Sequence, residues 1–228
     1  MRKIIKVVLV FIGLAVVGFG VYAYKLRSLA HEGNDLFEQR CLNVNPFLIG
    51  YKNSFLEMAD VINNPENYEE GSGIGVFENY IWQMGIYLEE ENKWLEAQSA
   101  YINRWDFQLF EPWYIKQAAE YQIKMYEGYR DDARYMLEIY NAGGATEELT
   151  TKFNEARDRR DKYSELYFTF GNEATEIFDL RKFLVIIPAP NGCTEENMTI
   201  PDTSGSIDWE EDIEPTPNPA ILDPDSVS

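Results

Sequence analysis

The chain opens with an apolar run that has the length of a membrane span. No residue from 7 to 24 is charged, so eighteen consecutive positions are uncharged. A helix of that length covers roughly 27 Å, close to the hydrocarbon thickness of a bilayer. Lys6 and Lys25 bracket the run. The pattern predicts a transmembrane anchor over residues 7–24, preceded by a short tip over residues 1–6.

The residues around this run bear on topology and on processing. Arg2 and Lys3 precede it, and positive charge before an anchor favours a cytoplasmic N-terminus. We therefore expect a single-pass protein of the cell membrane whose main domain is extracytoplasmic. A cleaved signal is the alternative, because Val21 and Ala23 suit a cut after Ala23. The run exceeds the usual signal core of about 7–15 residues, which favours a retained anchor.

Beyond the anchor, apolar residues recur at steps of three and four, the period of an amphipathic helix. Asn45 is expected to cap the second of these helices, and the glycines at 143 and 144 should end the fourth. No segment alternates with the period of a strand. Five helices are expected, over residues 25–42, 46–62, 77–111, 113–140 and 146–187.

The last three predicted helices are long and have short connections, so they should pack as antiparallel neighbours. The predicted fold class is all-α: the transmembrane helix followed by an extracytoplasmic antiparallel bundle over residues 25–187. Glu91 and Gln98 interrupt the apolar stripe of the third helix, and Arg160 interrupts that of the fifth. We expect Glu91 to pair with Arg160 across the bundle.

The C-terminal segment, residues 188–228, differs in composition from the rest. It holds seven of the ten prolines and ten acidic residues, with no basic residue. Such a segment buries too little apolar surface to order itself, so we expect a disordered acidic tail. Ile207, Trp209 and Ile213 are apolar exceptions within it, and they are candidates for docking into a groove of a partner protein.

The negative charge of the chain disfavours binding to polyanions. The net charge is −19, and residues 25–187 alone carry 29 acidic groups against 17 basic ones. Such a surface repels nucleic acid and anionic lipid headgroups.

The two cysteines, Cys41 and Cys193, each follow the expected end of a helix. In an oxidising compartment they can form a disulfide. The alternative is a pair of unrelated thiols.

Residues suited to catalysis or metal binding are few. His31 is the only histidine, which rules out the Glu-x-x-His pairs of di-iron bundles and offers no base beside a nucleophile. Zinc would need a cluster of Cys or His ligands, and the sequence contains no such cluster. The glycines of GSGIG at 71–75 lack the Lys-Ser/Thr of a phosphate-binding loop, and this segment is predicted to be a flexible joint. No catalytic residue, cofactor or metal site is predicted.

These observations favour a non-enzymatic scaffold or interaction module of the cell envelope, acting with an unidentified protein partner. Self-association is left open. The alternative is a small-molecule-binding or sensor module that works through a partner. In that case the tyrosine-rich fourth helix would line a pocket between the third and fourth helices.

Overall fold

The computed structural model describes residues 2–68, 72–176 and 193–194. Within these ranges no residue lies in a β-strand, and the predicted all-α class is confirmed for them. The predicted tail and the end of the predicted fifth helix lie outside the described residues, except for 193–194. The elements are α1 (Arg2–Asn43), α2 (Asn45–Asn63), a 3-10 turn (Pro65–Asn67), α3 (Ser72–Ile102), α4 (Trp105–Phe110), α5 (Trp113–Asn141) and α6 (Glu147–Glu176).

Helix α1 combines the apolar segment and the first bundle helix in one element of 42 residues. Its N-terminal part is long and apolar enough to span a membrane, and none of that part is buried against the described remainder of the chain. Leu26 and Leu29, only a few residues later, are buried in the core. The apolar segment and the first bundle helix therefore form one continuous helix.

A single residue, Val44, separates α1 from α2. Its N–H donates to the Arg40 carbonyl at 2.9 Å, and its own carbonyl accepts from the Leu48 N–H at 3.0 Å. Pro46 lies in the first turn of α2, where its missing N–H costs no helical hydrogen bond. The prediction that Asn45 caps α2 is wrong, because Val44 holds the cap position and keeps near-helical torsions. Because the backbone stays near-helical at Val44, the start of α2 needs little capping by a side chain.

The predicted third helix is two helices in the structure. Helix α3 begins at Ser72, so the described part of the predicted flexible joint is helical, and it ends at Ile102. Arg104 then adopts an extended conformation, with φ −65° and ψ 144°. Its Nε and Nη2 donate to the two carboxylate oxygens of Asp106 at 3.0 and 2.9 Å, at the start of α4. The apolar stripe continues across this break, which is why the sequence pattern hides it.

Helix α3 runs antiparallel to α2 and α1. Near its start, Asn79 donates to the Ser54 hydroxyl of α2 at 2.9 Å. Near its end, the Tyr101 hydroxyl donates to the Leu29 carbonyl of α1 at 2.7 Å. Residues 22–32 of α1, together with α4 and the start of α5, therefore lie at one end of the bundle, which we call the base.

Helices α5 and α6 complete the bundle as an antiparallel pair. At the base, the rings of Trp113 and Phe170 lie 5.8 Å apart, so the end of α6 returns beside the start of α5. At mid-height, Gly128 of α5 approaches the Arg160 backbone of α6 so closely that a Cβ atom there would lie 2.6 Å from the Arg160 Cα. The α5 helix ends as predicted, with Gly143 at φ 73°.

Candidate functional site

The most distinctive polar feature is an ion pair with no access to water. Arg40 of α1 donates from Nη1 to both carboxylate oxygens of Glu91 on α3, at 2.7 Å each. The side chains of both residues are 0% exposed. Burial raises the pKa of the Glu91 carboxyl, and the adjacent Arg40 charge opposes that rise. Two charges withdrawn from water are tolerated only when they are paired with good geometry, as these are.

Two aromatic rings complete the surroundings of Arg40. Its guanidinium carbon lies 3.4 Å from the ring centre of Tyr126 on α5 and 4.6 Å from that of Trp94 on α3. The indole N–H of Trp94 donates to the Leu36 carbonyl of α1 at 2.9 Å. Among the residues that the structure describes, none accepts a hydrogen bond from Nε or Nη2 of Arg40, and the electron-rich ring faces stabilise this end of the guanidinium.

This cluster joins α1, α3 and α5 at one level of the bundle. The Trp94 and Tyr126 rings meet edge to face, with centroids 5.1 Å apart. Side chains therefore fill the α3–α5 interface at this level. The arrangement is suited to holding three helices in register.

The predicted pairing of Glu91 with Arg160 is wrong. Arg160 Nη1 donates to Asp132 Oδ2 at 2.6 Å, and both side chains are largely buried. Next to this pair, Arg159 Nη2 donates to Asp131 Oδ2 at 2.6 Å. Both bonds join α6 to α5. The apolar register placed Arg160 on an inward face, but α6 packs against α5 rather than against α3.

A second polar layer lies above the Arg40 cluster. Lys52 of α2 is buried, which lowers the pKa of its ammonium group, while the charge of Asp132 opposes that shift. Beside it, the ring of Tyr51 packs on those of Tyr80 and Tyr87, with centroids 5.6 and 5.8 Å apart. Burial raises the pKa of all three tyrosine hydroxyls.

Cys41 and Cys193 are joined by a disulfide in the structure. Their Cα atoms lie 5.1 Å apart, within the range that a disulfide requires. Cys41 directly follows Arg40 and is fully buried, so the bond lies next to the ion pair.

His31 lies on the surface of α1, in a shallow depression of about 350 Å³. All of the residues that line it belong to α1, so it is the face of a single helix rather than an enclosed site; they are Tyr24, Arg27, Ser28, His31, Glu32 and Asp35. Among the described residues, no three potential ligands from His, Cys, Asp and Glu are grouped to hold a metal ion.

The candidate docking residues Ile207, Trp209 and Ile213 lie outside the described residues, so their role stays a prediction. Sequence reasoning did not single out Arg40, Trp94 or Tyr126. A signal for Arg40 was available, because it continues the spacing of the buried Leu26 and Leu29 along α1 and so had to face the core.

Comparison with known proteins assigns no relative to this fold. No protein-family model matches the chain, and neither the curated proteins nor the solved structures include a significant match.

Proposed function

We propose that this protein is a membrane-anchored, non-enzymatic scaffold of the cell envelope that holds a rigid helical bundle and an acidic tail outside the cytoplasm. The observation that carries the proposal is α1, one helix over Arg2–Asn43. Its first part has the length and apolarity of a membrane span, and its second part is buried in the bundle core. Because no loop separates the two parts, the anchor would transmit its orientation directly to the bundle.

The disulfide supports an extracytoplasmic bundle. Disulfides persist in oxidising compartments and are rare in the cytosol. The bond between Cys41 and Cys193 is therefore the chemistry expected on the far side of the membrane. The basic residues Arg2, Lys3 and Lys6 before the anchor are consistent with an N-terminus on the cytoplasmic side.

The same bond gives the scaffold a way to present its tail. It attaches Cys193 to Cys41, which lies seventeen residues beyond Tyr24 in a continuous helix. The part of the tail that follows Cys193 would then start about 25 Å from the outer end of the anchor. Its candidate docking residues, Ile207, Trp209 and Ile213, would reach a partner from a defined height above the bilayer.

Site-specific photocrosslinking in intact cells tests this function. A photoreactive residue at Trp209 should give one discrete adduct with an envelope protein, and the Ile207→Ser/Ile213→Ser double variant should lose it. A photoreactive residue at Ser226 in the same tail is the matched control and should give no adduct. Equal labelling from both positions, or release of the chain from membranes by alkaline carbonate, would contradict the proposal.

A further inference from the structure

Three large apolar side chains are exposed at the base of the bundle, and two of them, four residues apart, share one face of α4. They are Trp105 and Leu109 of α4 and Trp113 at the start of α5, and we call them the foot. Their exposed fractions are 69%, 67% and 65%. Grouped apolar surface of this kind is unfavourable in water and marks a surface that meets another apolar phase or a partner.

The foot adjoins the outer end of the apolar segment of α1. The Phe110 ring of α4 packs against the Tyr22 ring of α1, with centroids 6.2 Å apart. Lys25 Nζ lies 5.9 Å from the Trp105 ring centre and 3.7 Å from Asp106 Oδ2. Helix α4 is thus held at the level where residues 7–24 would leave the bilayer.

The position of α4 is fixed by its inner face. Phe107 is buried, and its ring meets that of Tyr101 edge to face at a centroid distance of 4.9 Å. The side-chain amide of Gln108 donates to the Ile102 carbonyl at 2.7 Å. Arg104 bonds both Asp106, as described above, and Glu32 of α1. Trp105 and Leu109 therefore project from a helix that is attached to the core.

We propose that the foot inserts into the interfacial region of the same bilayer that α1 spans, giving the bundle a second contact with the membrane. This inference rests on the proposed membrane anchor. Tryptophan favours the membrane interface, because its ring is apolar and its N–H finds polar partners there. Continuity with Tyr22 identifies the occupant as the lipid around the anchor.

Charges around the foot indicate which lipids it suits. Lys25 and Arg104 lie near it, and their positive charges are paired with the carboxylates of Asp106 and Glu32. The whole chain has a net charge of −19. Attraction to anionic headgroups is therefore weak, and the contact depends on aromatic and apolar insertion into zwitterionic lipid.

Fluorescence quenching by lipid tests the foot in the full chain. The protein is reconstituted into phosphatidylcholine vesicles with and without brominated acyl chains, which quench tryptophans that reach them. Two of the five tryptophans belong to the foot. We expect quenching in the wild type, and the Trp105→Phe/Trp113→Phe variant should lose more than half of the quenched emission.

Trp82 provides the matched control. It is also exposed, at 58%, but it lies on α3 away from the base. The Trp82→Phe variant should keep all of the lipid-quenched emission. If that variant loses it instead, or if the foot variant keeps it, the proposal is overturned.

Two further outcomes separate the foot from the anchor. A chain that does not float with the vesicles overturns the anchor and the foot together. A chain that floats, but whose tryptophans are insensitive to brominated lipid, overturns the foot alone. In that second case, shielding of the foot tryptophans from aqueous acrylamide would assign the surface to a second copy of the chain or to another protein.

Discussion

Charged side chains contribute very differently to this molecule depending on their burial. Lys93 pairs with Glu89 and Glu90 at 2.7 Å each, but these atoms lie at the surface, where water and salt screen the interaction. Arg40 and Glu91 are fully buried, so each depends on the other for compensation of its charge. Removal of one partner should therefore have a large effect only in the buried pair.

Glu91→Gln should destabilise the bundle by about 3–5 kcal/mol, because it leaves the Arg40 charge buried without a counter-ion. Denaturant unfolding of the full chain in detergent micelles, followed by circular dichroism, measures the change. Glu89→Gln is the matched control on the same helix and should leave the unfolding midpoint unchanged, since Glu89 is exposed.

The Arg40→Met/Glu91→Leu double variant separates charge from packing. Replacement of a buried ion pair by apolar residues of similar size is often nearly neutral. The double variant should therefore be more stable than Glu91→Gln alone. If the double variant is the less stable of the two, the pair stabilises the fold through a net attraction rather than through mutual compensation.

Among the helices, the packing of α5 against α6 depends on a close approach of their backbones. Gly128 faces Arg160, and Ala133 and Ala156 are fully buried small residues in the same pair of helices. Small side chains let the helix axes come close together, and the Arg160–Asp132 bond at 2.6 Å joins the two helices near that point. Adding volume there should push the helices apart.

Gly128→Ala should destabilise the protein by about 1–3 kcal/mol, since the new Cβ would overlap the Arg160 backbone and the helices cannot separate freely. Gly85→Ala is the control: it lies within α3 with nothing within 4 Å of its added Cβ. That variant should gain about 0.5–1 kcal/mol from helix propensity. Thermal unfolding of both variants gives the comparison, and equal shifts would contradict the close approach.

For the whole molecule, the disulfide closes almost the entire bundle into one loop. Cys41 and Cys193 are separated by 152 residues. Loop-closure entropy assigns such a bond a nominal stabilisation of about 5 kcal/mol, of which less is usually realised. The bond also fixes the point on α1 from which the chain after Cys193 starts.

Cys41→Ser should lower the unfolding midpoint, and reductant should lower that of the wild type by a similar amount. Reductant should have no further effect on the Cys41→Ser variant. Mass mapping without reduction checks the bond directly, and two thiols that alkylate freely in protein taken from the membrane would contradict the prediction.

Alkaline pH should unfold the bundle through its buried tyrosines. Burial raises the pKa of Tyr51, Tyr80, Tyr87, Tyr129 and Tyr167. Unfolded tyrosines lose their protons near pH 10, so above that pH the folded state binds more protons and stability falls. The stabilisation from these tyrosines is fully present below about pH 10. It is lost as the pH rises through the pKa values that the tyrosines have in the folded protein.

Titration followed by tyrosinate absorbance should therefore show two phases, first the exposed members of the fifteen tyrosines and then the buried ones together with the loss of helical dichroism. The lowered pKa of Lys52 makes stability rise with pH, which is the opposite of the tyrosine effect. This rise is complete by about pH 10.5, the pKa of an unfolded lysine. A denatured sample is the control and should titrate in one phase. One phase in the folded protein would show that these hydroxyls reach water.

Features that depend only on residues close together in the chain could be predicted from the amino-acid sequence. The uncharged run at 7–24 indicated the apolar segment, and the three-to-four spacing of apolar residues indicated helices. Gly143 and Gly144 marked the end of α5, where the chain takes positive φ values that glycine adopts without strain. Each of these is a local property of the chain, so it can be predicted from the order of the residues alone.

Which helices are neighbours and which charged side chains pair depends on how the helices pack in three dimensions. Arg40, Glu91 and Arg160 all occupy inward-facing positions on their helices. Their spacing along the chain does not indicate which of them form ion pairs. Arg40 meets Glu91 because α3 runs back along α1, and Arg160 meets Asp132 because α6 packs on α5. The break at Arg104 was hidden because the apolar stripe continues across it, and the Glu32 carboxylate that Arg104 bonds belongs to another helix.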